Sequence, residues 1–412
     1  MSRLQELDGE LWALAALLAL AVIGAVAGSL PLSLLGALGA VSAASLYLWQ
    51  RHCLSAVSHR QELSSARADF GEEVTLQVEL VNDKPLPVTW LQVEDPVPSG
   101  LGFPGATVTE SERCGPALVS VLALLPYQRV RRKLVVRCAE RGLHSFGPAL
   151  LRSGDPLGLR VRESLSGETR QLLVYPKRLA LDPGALAARA LLGDLRSTRG
   201  PLEDPSNAVG VRPYRPGDPL RSIDWRASAR SPGLQVRDPQ RSATLATALL
   251  VDFRVPLRSR RAEARSQAEL VISIAASIFT ELVERRRAVG LFASGVVDGS
   301  PLAFPPRRAA DQLPIVLEAL ARVPAVDRVP FSGVLASRVG TLRSGTSVVV
   351  IASDFPAATL LVLAELRRRH HLSAVWVRGP LGDPPPEDQV DLLLRVDHEE
   401  SWRDRETLDL AP

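Results

Sequence analysis

Uncharged, mostly apolar residues run without interruption from position 11 to position 50. As a single helix, these 40 residues would be about 60 Å long, twice the roughly 30 Å hydrocarbon core of a bilayer. The run therefore predicts two membrane spans, residues 11–27 and 32–48, separated by the break Gly28-Ser29-Leu30-Pro31. We expect residues 1–60 to form a transmembrane hairpin.

Basic residues flank the two predicted spans. Arg3 precedes the first span, Arg51, Arg60 and Arg67 follow the second, and none lies between them. The positive-inside rule then places both ends of the hairpin, and the domain that follows, on the cytoplasmic side. A cleaved signal peptide is the alternative, but the acidic residues before the run and the second span after it disfavour that interpretation.

The apolar period changes to two between residues 68 and 176. In the first predicted strand, four apolar residues alternate with polar ones: Val74, Leu76, Val78 and Leu80. Residues 117–125 and 129–137 are further strand candidates, and clusters of proline and glycine separate the runs. Several short strands with this spacing predict a β-sandwich-like domain over residues 61–180.

Strand-like and helical patterns alternate from residue 244 to residue 412. Strands are predicted at 245–251, 288–293, 346–353, 372–377 and 390–396, with a hairpin edge at 296–304 and helices at 261–287, 309–323 and 357–370. This alternation predicts a doubly wound, parallel α/β sheet. Ligands bind outside the carboxyl ends of the strands in such sheets, and Asp252 and Asp354 directly follow two predicted strands.

A connector, residues 181–243, contains the most distinctive local sequence, PGDPLRSIDWRASAR. Asp218 followed by Pro219 is typical of a helix N-cap and first helical position, so residues 220–225 are predicted to form one helical turn. Arg221 and Asp224 are three residues apart and would pair on that turn. Leu234-Gln235-Val236 predicts a strand.

Charge and cysteine content exclude some functions. The net charge is +4, and arginine accounts for all basic residues except Lys84, Lys133 and Lys177. No basic stripe with interleaved aromatic residues is present, which argues against nucleic-acid binding. The three cysteines lack the spacing of metal ligands and predict free thiols in a reducing compartment. No zinc-protease motif, nucleophile elbow or glycine-rich phosphate loop occurs, so we expect no enzyme and no cofactor.

The connector closely resembles the signature of domain-of-unknown-function family 58. The matching residues are Tyr214, Pro216, Gly217, Asp218, Arg221, Ile223, Asp224, Trp225, Ala227, Ser228, Ala229, Arg230, Leu234, Val236 and Arg237. The resemblance implies an N-terminal membrane hairpin, a β-rich segment, a C-terminal domain similar to the von Willebrand factor type A fold, and a MoxR-type AAA+ ATPase as partner. The signature either buttresses one domain against the next, with Trp225 as a buried anchor, or contacts the partner directly.

The von Willebrand factor type A fold binds metal through the pattern D-x-S-x-S after its first strand and an aspartate after a later strand. Asp252 matches the first position and Asp354 the later one, but Arg254 and Pro256 replace the two serines. A magnesium ion requires oxygen ligands. We therefore expect no bound metal, and we expect Arg254 to lie beside Asp252 or Asp354, because a guanidinium bridges carboxylates.

Two functions of different classes follow. The first is a multi-pass protein of the bacterial cytoplasmic membrane that works with a MoxR-type ATPase in maturing or activating protein complexes. The second is a metal-dependent or hydrolytic enzyme that uses Asp252 and Asp354. The candidate binding residues for the first are Tyr214, Asp218, Arg221, Asp224, Trp225, Arg230, Asp252, Arg254 and Asp354.

Overall fold

A computed structural model describes residues 2–156, 161–181, 208–215, 220, 223–239, 246–254, 261–324, 330–343, 346–379 and 382–411. The chain divides into two compact units, Met1–Val174 and Tyr175–Pro412. Together they form a mixed α/β protein with an apolar helical segment at its N-terminus.

Two helices form the N-terminal hairpin: α1 (Ser2–Val26) and α2 (Leu30–His52). The turn between them contains Gly28, whose φ of 66° lies in the left-handed region that glycine adopts without strain. The predicted break at residues 28–31 is too long at its C-terminal end, because Pro31 lies in the first turn of α2. Proline is tolerated there because the amide groups of a first helical turn have no partner within the helix.

The hairpin buries small residues and exposes large apolar ones. A Cβ atom on Gly36 would lie 2.4 Å from the backbone nitrogen of Ala21, so the backbones of the two helices pack closely at this glycine. Val22 and Leu38 are more than 60% exposed. α2 is long and apolar enough to cross a bilayer. Residues 262–284 pass the same criterion but are mostly buried in the second unit, as expected for a core helix. The exposed apolar hairpin therefore indicates membrane association.

In the part of the first unit that the structure describes, eleven short strands form three sheets. They are β1 (Val57–Leu63), β2 (Arg67–Ala68), β3 (Glu73–Asn82), β4 (Val88–Pro96), β5 (Val108–Ser111), β6 (Gly115–Leu124), β7 (Arg129–Arg137), β8 (Gly142–Phe146), β9 (Ala149–Gly154), β10 (Val161–Ser166) and β11 (Arg170–Val174). The sheet orders are β1-β3-β7, β10-β9-β4-β6-β5 and β2-β11-β8. The predicted strand at 129–137 is confirmed, and the alternating residues of β3 are buried as predicted.

Lys84 joins the end of α2 to the strands. Its Nζ donates hydrogen bonds to the backbone oxygens of Cys53, at 2.6 Å, and Ser55, at 2.8 Å. Burial lowers the pKa of Lys84. Carbonyl groups at a helix C-terminus lack partners within the helix, so a buried lysine that reaches them stabilises this junction.

The second unit contains a six-stranded sheet. Its strands and helices are β12 (Ala180–Leu181), β13 (Ala208–Pro213), α3 (Trp225–Ser228), β14 (Gln235–Pro239), β15 (Thr247–Val251), α4 (Arg261–Glu284), β16 (Val289–Val297), β17 (Ser300–Arg307), α5 (Gln312–Arg322), α6 (Phe331–Val339), β18 (Ser347–Ala352), α7 (Ala357–Arg369), β19 (His371–Arg378), β20 (Leu392–Asp397) and β21 (Thr407–Leu408), with short 3₁₀ turns at Glu387–Gln389 and Glu400–Asp404. The order in the large sheet is β17-β16-β15-β18-β19-β20. All neighbours are parallel except β16 and β17, which form the predicted hairpin edge.

Two helices illustrate the physics of this unit. The predicted face of α4, with Leu270, Ile274 and Ile278, is buried against the sheet. The sequence did not predict α6, because this nine-residue helix is short and starts just after a proline. Phe331 and Leu335, four residues apart, bury its inner face.

Candidate functional site

The strand order reverses its direction between β15 and β18. The chain leaves β15 toward β16 on one side, and returns to β18 on the other. This reversal is the topological switch point of a doubly wound sheet, where the carboxyl ends of the strands leave room for a ligand. Asp252 follows β15 directly and Asp354 follows β18 by two residues. The two predicted aspartates therefore lie at the ends of neighbouring strands.

Arg254 forms several hydrogen bonds with the carboxylate of Asp252. The guanidinium Nε donates to Oδ1 at 2.9 Å and to Oδ2 at 3.2 Å, and Nη2 donates to Oδ2 at 2.8 Å. The backbone nitrogen of Arg254 donates to Oδ1 at 3.0 Å. The expected pairing of Arg254 with a strand-end carboxylate is thus found on Asp252. The Asp252 side chain is 4% exposed and that of Arg254 is 31% exposed, so the carboxylate is buried while the guanidinium is partly accessible to solvent.

Serines on neighbouring strands support this pair. Ser294, in β16, donates its hydroxyl to Asp252 Oδ1 at 3.1 Å and accepts a hydrogen bond from the Phe253 backbone at 3.0 Å. Ser353 donates to the backbone oxygen of Arg254 at 2.9 Å. Sequence analysis missed both serines as members of the site. The position of Ser353, at the end of a predicted strand and directly before Asp354, was the available signal.

The pair is electrostatically coupled. Burial raises the pKa of Asp252, while hydrogen bonds from Arg254 and Ser294 act in the opposite direction. The carboxylate in turn raises the pKa of Arg254. Arg254 therefore stays cationic. Asp252, held on both oxygens, is poorly placed to act as a general base or a nucleophile.

Asp354 lies at the end of the neighbouring strand. Its Oδ1 accepts a hydrogen bond from the backbone nitrogen of Asp383 at 3.2 Å. The preceding Gly382 has a φ of 123°, and a Cβ atom there would lie 2.3 Å from the Ser353 oxygen. Only glycine allows this close approach. Asp354 also attracts the Arg254 guanidinium electrostatically.

The donor set does not fit a divalent cation. Magnesium requires oxygen ligands in a near-octahedral array, but Arg254 occupies both oxygens of Asp252 with a positive charge. Pro256 lies outside the described residues. Within the described ranges, no cluster of three or more His, Cys, Asp or Glu side chains is positioned to hold a metal.

The family-like signature forms a small substructure. Strands β13 and β14 pair antiparallel, and Ile223 bridges to Val236. Asp224 caps α3, because its Oδ1 accepts from the backbone nitrogens of Arg226 at 3.0 Å and Ala227 at 3.1 Å. The helical turn predicted at residues 220–225 is found only at its start, where Leu220 is 3₁₀-helical and the Ile223 nitrogen donates to its oxygen at 3.2 Å. Its end is wrong, because Ile223 is a bridge residue, Asp224 is extended, and α3 begins at Trp225. The predicted cap Asp218 and the predicted partner Arg221 lie outside the described residues.

Ser228 ties α3 to the adjacent strand. Its hydroxyl donates to the Asp224 oxygen at 2.7 Å and accepts from the Gln235 backbone at 2.8 Å. Tyr214 donates its backbone nitrogen to the Leu234 oxygen at 2.9 Å. The α3 turn is consequently fixed at its start by the Asp224 cap and at its end by the hydrogen bond between the Ser228 hydroxyl and the Gln235 backbone.

Trp225 is exposed. The prediction that it is a buried anchor is wrong, because 68% of the residue is accessible. Ile223 and Val236 occupy the buried positions of the substructure instead. Arg230 is also exposed, whereas Tyr214 and Asp224 are half-buried. The described candidate residues thus form two groups: the strand-end pair with Asp354, and the signature residues Tyr214, Asp224, Trp225 and Arg230.

Comparison with known proteins finds a family model and a relative that are similar to part of the chain. Residues 210–399 match the family model described as "Protein of unknown function DUF58". This region includes both groups of candidate residues. The uncharacterized protein YeaD of Bacillus subtilis (strain 168) is 24% identical over 236 residues, 57% of this chain. The chain spans 55% of that relative's length.

Solved structures similar to this chain are β-sandwich-like domains. The CARDB domain of a Pyrococcus furiosus protein is 8% identical and covers 29% of this chain and 91% of its own, with a TM-score of 0.21. A type II cohesin from Acetivibrio cellulolyticus is 13% identical and covers 28% of this chain and 94% of its own, with a TM-score of 0.22. Scores this low carry no functional argument.

Proposed function

We propose that this chain is a membrane-anchored interaction protein that works with a MoxR-type AAA+ ATPase in the maturation or activation of other protein complexes. The observation that carries the proposal is the exposure of Trp225 on a turn fixed by Asp224 and Ser228. Exposed tryptophan on a rigid element is typical of binding hot spots, because it supplies a large contact area at little entropic cost.

The surroundings of Trp225 support a binding surface. Leu220 is 70% and Leu234 45% exposed. Arg226 and Arg230, on and just after α3, are exposed as well. An aromatic and aliphatic centre with arginine at its margin matches the composition of protein interfaces, which are enriched in tryptophan and arginine. We call Leu220, Trp225, Arg226, Arg230 and Leu234 the signature surface.

The α/β unit supports the same proposal. Counted along the chain, its six strands lie in the order 3-2-1-4-5-6 with the third antiparallel, and we interpret this sheet as similar to the von Willebrand factor type A fold. Its strand-end crevice would bind partners without a metal, because Arg254 holds Asp252. The enzyme alternative requires a free strand-end carboxylate or a metal, and the geometry of this pair favours neither.

Orientation follows from the arginines around the hairpin. Arg3 lies before the first span and Arg51 after the second, which supports a cytoplasmic location for both ends. The domains that follow would then face the compartment in which an ATP-dependent partner works.

Co-purification tests the proposal. The full chain, solubilised in detergent, is isolated from its host membrane with and without ATP, and bound proteins are identified by mass spectrometry. We expect an AAA+ ATPase to co-purify with the wild type and with the control Leu361→Ala, which removes another large exposed residue, 76% accessible, from the same unit. The ATPase should be depleted with Trp225→Ala. Absence of any AAA+ ATPase, or equal recovery with all three proteins, would contradict the proposal.

A further inference from the structure

The turn between β6 and β7 exposes two large apolar side chains. Leu125 is 65% and Tyr127 68% exposed. Tyr127 also has a φ of 56°, in the left-handed region that bulky residues rarely adopt and that strains the backbone. Gln128 orders the turn, since its Oε1 accepts from the Leu125 backbone at 2.7 Å. A fixed turn that holds an aromatic ring outward at an energetic cost indicates a contact outside the unit.

This turn lies at the end of the strands that joins the membrane hairpin. The backbone nitrogen of Tyr127 donates to the oxygen of Lys84 at 3.3 Å. The side chain of the same Lys84 bonds to the oxygens of Cys53 and Ser55, directly after α2. A single residue therefore connects the turn to the point where the chain leaves the predicted span. The turn lies beside that exit.

A second set of bonds fixes the same geometry. Asn82 Nδ2 donates to the Leu125 oxygen at 2.9 Å, and the Asp83 backbone donates to the Ala56 oxygen at 2.9 Å. Residues 82–84 thus hold the turn on one side and the segment after α2 on the other. The position of the turn relative to the hairpin is consequently well defined within this unit.

Charge near the turn fits a lipid surface. Arg51, at the end of α2, is exposed, and Arg129, directly after the turn, has a side chain that is 57% exposed. Arg129 and Arg131 share one carboxylate, that of Glu79, which leaves an excess of positive charge. Tyrosine and basic residues concentrate at the headgroup level of bilayers, where the ring is half-solvated and the cations meet lipid phosphates.

We propose that the β6–β7 turn is a second membrane-contact site, in which Leu125 and Tyr127 enter the headgroup region of the leaflet from which α2 emerges. The ligand is a phospholipid surface that contains anionic headgroups. The proposal depends on the membrane anchoring of the proposed function, but not on the ATPase. Contact at this second point limits the tilt of the strands that follow the hairpin.

Lipid quenching tests the contact on the full chain, reconstituted in vesicles of zwitterionic and anionic phospholipid. A Cys114→Ser background leaves only the buried Cys53 and Cys138. An environment-sensitive fluorophore is attached through Tyr127→Cys, or through Leu125→Cys as a second position. Val135→Cys is the control, because it is an apolar residue, 39% exposed, that lies six residues along β7 from Arg129, about 20 Å away. Leu34→Cys in α2 reports on the hairpin itself.

We expect lipids with a nitroxide near the headgroup to quench labels at positions 125 and 127 several-fold more than the label at 135. Quenching at position 34 by nitroxides in the acyl chains, without extra quenching at 125 or 127, would overturn the contact and leave the hairpin intact. No quenching at 34 would overturn the membrane anchoring itself. A label at 127 that is shielded from aqueous quenchers but not reached by lipid nitroxides would show that protein covers the turn, and would also overturn the proposal.

Discussion

One residue decides the chemistry of the strand-end crevice. Arg254 follows Asp252 by two residues, and its guanidinium donates hydrogen bonds to both oxygens of that carboxylate. A planar guanidinium matches a carboxylate in two parallel hydrogen bonds, which a lysine would not reproduce. A site of this kind keeps the carboxylate buried and presents a fixed cation toward solvent.

Substitution of Arg254 tests the strength of that pair. Arg254→Leu should lower the free energy of unfolding by about 3 kcal/mol. This value is at the low end of the cost of removing one partner from a buried ion pair, because the guanidinium is partly exposed. The loss arises because Asp252, 3% exposed, would be left without its partner. The double variant Asp252→Asn/Arg254→Leu should recover most of the loss, as measured by chemical denaturation. Equal instability of the single and double variants would show that the pair is not the cause.

The buried side chain of His370 should make the stability of the folded protein depend on pH. It is 6% exposed, its Nδ1 lies 3.1 Å from the Thr346 oxygen, and burial lowers its pKa below the ordinary value of 6.5. The unfolded chain therefore binds more protons between pH 6.5 and the lower pKa of the folded state. Stability should fall as the pH drops through that window, and thermal denaturation should show a smaller fall for His370→Asn. An identical pH dependence in both proteins would contradict this assignment.

Residue-level expectations from the sequence had mixed outcomes for physical reasons. The pairing of Arg254 was expected because a guanidinium bridges carboxylates, and two aspartates follow neighbouring predicted strands. Trp225 was expected to be buried because it is apolar, but it is exposed, since Ile223 and Val236 fill the small interior of the signature substructure. Ser294 directly follows a predicted strand, and only the register of β16 beside β15 reveals it as a support for Asp252.

At the scale of elements, periodicity predicted most strands and helices of the α/β unit, since a buried face repeats along each element. Ends were less accurate: α4 stops at Glu284, three residues before the predicted end at Arg287. The short helix of the signature was misplaced because two Asp-containing turns, at Asp218 and Asp224, compete as caps in the sequence. The extended backbone of Asp224 and the bridge of Ile223 decide between them.

Packing between α1 and α2 gives a prediction at this scale. Gly36→Leu should separate the helices, because a Cβ there would lie 2.4 Å from the Ala21 backbone. Spin labels at Trp12 and Leu48, both more than half exposed, would report a longer and broader distance by electron resonance. Leu38→Ala, a change at a residue 67% exposed, is the matched control and should leave the distance unchanged. An unchanged distance in Gly36→Leu would contradict the close packing.

At the scale of the whole molecule, an apolar hairpin, a β-rich segment and an α/β unit follow one another along the chain. The hairpin was predictable from length and charge alone, because 40 uncharged residues exceed what one span needs. The surface that we propose for partner binding was not predictable from the residues, because an interaction surface is defined by exposure, and exposure is a property of the fold. The signature surface emerged only when Trp225 was found outside the core.

The affinity of the AAA+ ATPase for the full chain in lipid nanodiscs tests the central claim most directly. Biolayer interferometry would compare the wild type with Trp225→Ala and with the control Leu361→Ala, in the presence of ATP. A hot-spot residue contributes 2 kcal/mol or more, so Trp225→Ala should weaken binding by about 30-fold, whereas Leu361→Ala should bind like the wild type. Equal affinity for all three proteins would contradict the assignment of the signature surface as the partner-binding site.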